Sequence, residues 1–212
     1  MEKLNQITEK ISSRFTGITN ARDEILQLQR EVIRCASLSI RATHRGEFEN
    51  AKEILTNADN MIEGKKEIFS KYPELYYAGY FLDAMKELAE ARITLALIKG
   101  EEIPDPDEIK CEYSSYVNGM GEAIGELRRY VLDKIRHESF DGGDEVLDRM
   151  EELYCVLTSL DFPDAITRGL RRTADIARSI IEKTRGDLTL NIAQKRLSEK
   201  IDSVAKITRE KV

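Results

Sequence analysis

Tryptophan is absent from this 212-residue chain, and proline (four), histidine (two) and cysteine (three) are scarce. With so few prolines, long stretches are free to be helical, and the abundant Glu, Lys, Arg, Ala, Leu and Ile favour that state. No segment shows a strand pattern, so we expect an all-α protein. No run approaches the roughly 20 apolar residues of a membrane span. The opening Met1-Glu2-Lys3-Leu4-Asn5 lacks the basic start and apolar centre of a secretion signal. Cys35, Cys111 and Cys155 are odd in number, far apart and without metal-type spacing. We therefore expect reduced thiols in a cytoplasmic protein with no membrane partner. His44 and His137 are the only histidines, which argues against a nuclease built on a histidine pair.

What is present is charge and helical periodicity. The net charge is −6, which argues against a generic nucleic-acid coat. Its distribution is uneven: residues 1–45 carry +3, residues 46–112 carry −8, residues 113–160 carry −5 and residues 161–212 carry +4. Basic ends around an acidic middle fit two readings. One is solvated faces that happen to differ; the other is a polyanion held by basic helices around an acidic, metal-holding centre.

Apolar spacing predicts helices over 1–16, 20–45 and 47–70, with Gly17 interrupting the first two and Thr19 or Asn20 capping the second. Tyr72-Pro73 marks a break, followed by a helix over 74–99 that stops at Gly100. The next runs from 108 or 112 to His137, and Asp141-Gly142-Gly143 makes a turn. A helix over about 143–160 follows. Asp161-Phe162-Pro163 starts another, which runs to Arg185 and ends at Gly186. Asp187 caps the last, which reaches about Arg209. Short polar connections imply one domain over 1–212, a bundle of about seven helices with mostly antiparallel neighbours.

Two acid pairs stand out within it. Glu87 and Glu90 lie at i, i+3, and Glu122 and Glu126 at i, i+4, so each pair shares a helix face. The second pair sits in Tyr116-Val117-Asn118-Gly119-Met120-Gly121-Glu122-Ala123-Ile124-Gly125-Glu126-Leu127, a helical stretch with three glycines. Each glycine costs about 1 kcal/mol in a helix interior, and close approach of another backbone or a ligand is one use for that cost. Four carboxylates on neighbouring helices can hold a hard cation, Mg2+ or Mn2+, which lowers the pKa of a bound water and shields a phosphate. Taken alone, such pairs are also common as solvated helix faces. Without a cation, clustered carboxylates repel, so Glu126→Gln is expected to stabilise the protein.

Tyr116-x-x-Gly119-x-x-Glu122-x-x-Gly125-Glu126-Leu127 resembles the central motif of translin and its partner, translin-associated factor X. Lys86-Glu87-Leu88-Ala89-Glu90-Ala91 resembles the partner's Gln-Glu-aromatic-Val-Glu-Ala. Arg22 to Glu31 with His44-Arg45 is similar to the family's first long helix, which ends in Leu-His-Arg. Tyr72-Pro73-Glu74-Leu75-Tyr76-Tyr77 is closer to translin itself. The resemblance covers roughly residues 20–186 at low identity. It implies a seven-helix bundle in a hollow homo-oligomer, typically an octamer, and leaves room for a second, translin-type subunit.

In that family the partner subunit carries two acid pairs and is a metal-dependent endoribonuclease, whereas translin mainly binds nucleic acid. The resemblance implies that Glu87, Glu90, Glu122 and Glu126 are the metal ligands and catalytic groups, acting on single-stranded RNA. Glu122 departs from the aspartate usual at its position. Arg30, Arg34, Arg41, His44 and Arg45 are candidate RNA contacts, as are Arg92 and Arg129, which follow the acid pairs. Solvated surface, or ion pairs with Glu, is the duller alternative for each. Tyr76, Tyr77 and Tyr80 suit base stacking or core packing. Two other functions stay open. One is a non-catalytic RNA-binding oligomer. The other is a helical nucleotide pyrophosphohydrolase, although the second acid pair is spaced by four rather than three.

Overall fold

The computed structural model describes residues 1–137 and 142–209. Among the described residues every regular element is helical: α1 (Glu2–His44), α2 (Phe48–Glu63), α3 (Lys66–Lys71), α4 (Pro73–Tyr76), α5 (Gly79–Lys99), α6 (Tyr113–Arg136), α7 (Gly143–Ser159), α8 (Asp164–Thr167) and α9 (Leu170–Arg209). The all-α expectation holds. Asp141 of the expected turn lies outside the described residues.

Gly100 ends α5 as expected, in the left-handed conformation (φ 78°), but two other glycines do not break the chain. Gly17 lies inside the 43-residue α1, and a Cβ there would meet the Tyr72 hydroxyl at 2.5 Å; the missing side chain seats Tyr72. Thr19 caps nothing, because its hydroxyl bonds the Phe15 carbonyl one turn back at 2.8 Å. Gly186 lies inside the 40-residue α9, and Asp187 pairs with Arg128 of α6 at 2.8 Å instead of capping a helix. Breaks fall elsewhere. Gly64 ends α2, so the expected helix over 47–70 is two. Tyr77 and Ala78 separate α4 from α5. Arg168 (φ 51°) and Gly169 (φ 92°) turn the chain between α8 and α9. Glu112 caps α6, accepting from Ser114 N at 2.9 Å and Ser115 N at 3.1 Å.

One hydrophobic core links the long helices. α5 lies between α1 and α6; α1 also packs on α2, and α6 also packs on α7 and α9. Sandwiched in this way, α5 buries Phe81, Met85, Leu88 and Ile93 among others. Ile25, Leu28, Val32 and Cys35, at helical spacing on α1, are buried, whereas Leu38 is exposed. Tyr76 packs edge-on against Phe69 and Tyr77, and Tyr77 itself is exposed. No helix among the described residues is long and apolar enough to cross a membrane.

Candidate functional site

The site sits on the interface of α5 and α6, and Gly119 permits their close approach there. A Cβ on Gly119 would stand 2.6 Å from the Lys86 carbonyl and 2.9 Å from the Glu90 amide. Those are backbone atoms of the α5 turn that carries Glu87 and Glu90. Gly121 serves the opposite neighbours, since its Cβ would meet Thr173 Cγ2 of α9 at 2.2 Å and Leu157 Cδ1 of α7 at 3.3 Å. Gly125 has only ordinary contact, at 3.9 Å from Ile180.

This packing brings carboxylate oxygens of Glu87, Glu90 and Glu122 within 4.8 Å of one another. Glu90 is only 9% exposed. Burial, reinforced by the charges of Glu122, Glu87 and Glu126, pushes its carboxyl up to about 8. A buried carboxyl facing other carboxylates is stabilised either by a proton or by a cation. Lys86 partly supplies the latter: its Nζ lies 2.6 Å from Glu122 Oε1 and 3.4 Å from Glu87 Oε1. Desolvation pulls the Lys86 ammonium down, and these contacts more than reverse it, so its pKa is raised. Oxygen donors of this hardness, already attracting a positive group, fit Mg2+ or Mn2+.

Glu126 stands beside this trio in a different environment. His44, at the end of α1, places Nε2 2.5 Å from Glu126 Oε2. An ionised carboxylate only accepts, so Nε2 carries the hydrogen. Arg129 lies 3.6 Å from the same carboxylate. The hydrogen bond from His44, against some desolvation, holds Glu126 below the usual carboxylate range. Three carboxylates therefore crowd one point, and the fourth is held by a histidine and an arginine.

The arginines divide between the site and elsewhere. Arg129 reaches the site, as does the α1 terminus through His44. Arg30 and Arg41 are exposed on α1, Arg34 pairs with Glu31 at 2.8 Å, and Arg45 pairs with Glu47 at 2.6 Å. Arg92 turns away from the acids, pairs with Asp59 of α2 and buries its Nε. Lys86 had no assigned role in the sequence. Its place before Glu87 was visible, but its reach to α6 depends on how the two helices pack.

The protein is thus an all-α bundle with a group of three carboxylates between α5 and α6. No family model matches the chain. It is 30% identical over 207 residues, 96% of this chain and 89% of the other, to an uncharacterized protein of Methanocaldococcus jannaschii (MJ0175). It is 34% identical to the AfC3PO chain in a complex with duplex RNA, over 88% of this chain and 97% of that one, with a TM-score of 0.79. AfC3PO in a second crystal structure gives 0.80 at the same identity and coverage. Apo-NeC3PO, at 20% identity over 87% of this chain and 96% of that one, shares the fold with a TM-score of 0.77. The chain belongs to the translin family.

Proposed function

We propose that this protein is an endoribonuclease of the catalytic, translin-associated-factor-X-like type, using Mg2+ or Mn2+ held by Glu87, Glu90 and Glu122. The convergence of these three carboxylates within 4.8 Å, with Glu90 buried among them, carries the reading. RNA as substrate rests on the relative complexed with duplex RNA and on the basic terminal segments of this chain; single-stranded RNA is the form we expect to be cut. A cation bound here supplies a water of lowered pKa and neutralises charge on the phosphoryl oxygens. Glu90 contributes a carboxylate whose proton is displaced when a cation is bound. Glu126, kept ionised by His44 and Arg129, orients the attacking water as an acceptor. The exposed Arg30 and Arg41 on α1 and Arg129 on α6 draw in the RNA backbone.

Hydrolysis by water needs no 2′-hydroxyl, so products carry 5′-phosphate and 3′-hydroxyl ends. The test is cleavage of a labelled RNA with Mg2+, Mn2+ or chelator. Wild type is expected to cut only with the cation. Glu90→Gln should lower cleavage by about a hundredfold or more while RNA affinity measured in chelator stays within about threefold, because removal of a ligand charge acts on the centre rather than on backbone contacts. Chelator-resistant cleavage or cyclic-phosphate ends would contradict the reading. Turnover of nucleoside triphosphates without RNA cleavage would instead support a pyrophosphohydrolase, and RNA binding without any cleavage a translin-like binder.

A further inference from the structure

A cavity of about 240 Å³ opens beside the carboxylates, between α5, the first half of α6 and the α8–α9 turn. Whole small-molecule pockets span about 300–1,000 Å³, so this space suits a phosphate group rather than a complete cofactor. Its charged lining is Lys86, Arg168 and Arg172 on one side of the balance and Asp83 and Glu122 on the other. Lys86 and Glu122 thus belong to both the cavity and the carboxylate centre. Asn118 fixes the wall. Its amide donates to the Ser114 and Thr167 carbonyls, each at 2.8 Å, and its oxygen accepts from the Thr173 hydroxyl at 2.6 Å. These bonds tie α6 to α8 and α9.

The cations differ in their freedom. Arg168 is held by Asp83 at 3.3 Å and the Gly79 carbonyl at 3.4 Å. Arg172 is exposed and, among the described residues, has no ion-pair partner. Lys86 is occupied by Glu122 and Glu87. When Glu122 and Glu87 hold a divalent cation, Lys86 is released from both, and the cavity lining, in which cations already outnumber carboxylates, becomes more positive.

We propose that this cavity is a phosphate subsite for the RNA backbone, with Arg172 and Lys86 as its ligands, and that cation loading transfers Lys86 from the carboxylates to the phosphate. The subsite rests on the metal-site reading of the carboxylates given above. A planar guanidinium matches two phosphate oxygens at once, and the ammonium adds a point charge beside it. Cation and RNA then bind with positive coupling, each favouring the arrangement of Lys86 that the other needs.

Two measurements on the full chain test this. RNA affinity is read by fluorescence polarisation with Ca2+ and, separately, with chelator, Ca2+ being an oxygen-seeking ion used to load the carboxylates. Mn2+ binding without RNA is read by electron paramagnetic resonance. Wild type is expected to bind RNA more tightly with Ca2+. Arg172→Ala should lower Ca2+-loaded affinity roughly tenfold and reduce the salt slope by about one, with Mn2+ binding unchanged. Lys86→Met should bind Mn2+ more tightly, since the competing ammonium is gone, yet lose the Ca2+-dependent gain in RNA affinity. Normal Mn2+ binding with unchanged RNA affinity in Arg172→Ala overturns the subsite alone. So does an equal loss in Lys86→Met with and without Ca2+. Absence of Mn2+ binding by wild type overturns the subsite and the carboxylate reading together.

Discussion

Glu90 and Glu126 respond oppositely to pH although both belong to the acid pairs. Glu90 is raised to about 8 by burial and like charge. Without a bound cation, the unfolded chain releases this proton near the ordinary value of 4.5, while the folded protein retains it. The contribution of Glu90 to stability therefore falls as pH rises from about 4.5 to about 8 and then levels off. Glu126, lowered mainly by His44, contributes stability that is present above 4.5 and lost as pH falls through its folded value. Thermal melts in chelator should show Glu90→Gln more stable than wild type at pH 8.5, by an amount on the order of a few kcal/mol, and nearly equal to it at pH 4.5. Glu126→Gln should be less stable at neutral pH. That reverses the sequence-based expectation, which treated the four acids as equivalent. Their spacing along each helix was legible because it follows from 3.6 residues per turn. Their environments were not, since His44 arrives from a residue 82 positions away and Lys86 reaches across from the adjacent helix.

At the scale of elements, the close backbone approach expected of the α6 glycines is found at Gly119, whereas Gly17 and Gly186 lie inside helices. Gly119 lies against backbone that cannot yield cheaply. Gly119→Ala is expected to cost about 1–3 kcal/mol as overpacking and to weaken Mn2+ binding by parting α5 from α6. Gly186 has no atom within 4 Å of an added Cβ and lies inside α9. There Gly186→Ala should stabilise by about 1 kcal/mol through helix propensity alone. Urea unfolding of the two variants provides the comparison, and equal effects would contradict the packing role of Gly119. Gly17 and Gly186 show why helix boundaries were misjudged. A glycine that seats a neighbouring side chain, or that faces open space within strong helix formers, is indistinguishable in sequence from one that ends a helix. Gly64 and Gly169 end or precede helices where no apolar break announces it. The core faces were readable because periodicity reflects burial directly: the spacing of Ile25, Leu28 and Val32 reappears as a buried stripe.

The whole chain exposes more apolar surface than its core requires. Leu4, Ile7, Ile11 and Phe15 form a helical stripe on α1 with relative exposures of 65%, 45%, 48% and 64%. Leu190, Leu197 and Ile201 are likewise exposed on α9. Contiguous apolar stripes of this kind mark association surfaces, and the resemblance to translin points to an octamer of the 24.2 kDa chain. Light scattering should therefore give a closed oligomer at micromolar concentration. A monomer would contradict it, and truncation of residues 1–16 should reduce its size. Whether Glu87, Glu90 and Glu122 hold a cation is decided by anomalous diffraction from Mn2+-soaked crystals. One or more Mn2+ peaks bound by Glu87, Glu90 and Glu122 are expected, with Lys86 withdrawn from Glu122. Crystals of protein that cleaves RNA under the same Mn2+ conditions but shows no Mn2+ at these carboxylates would contradict it.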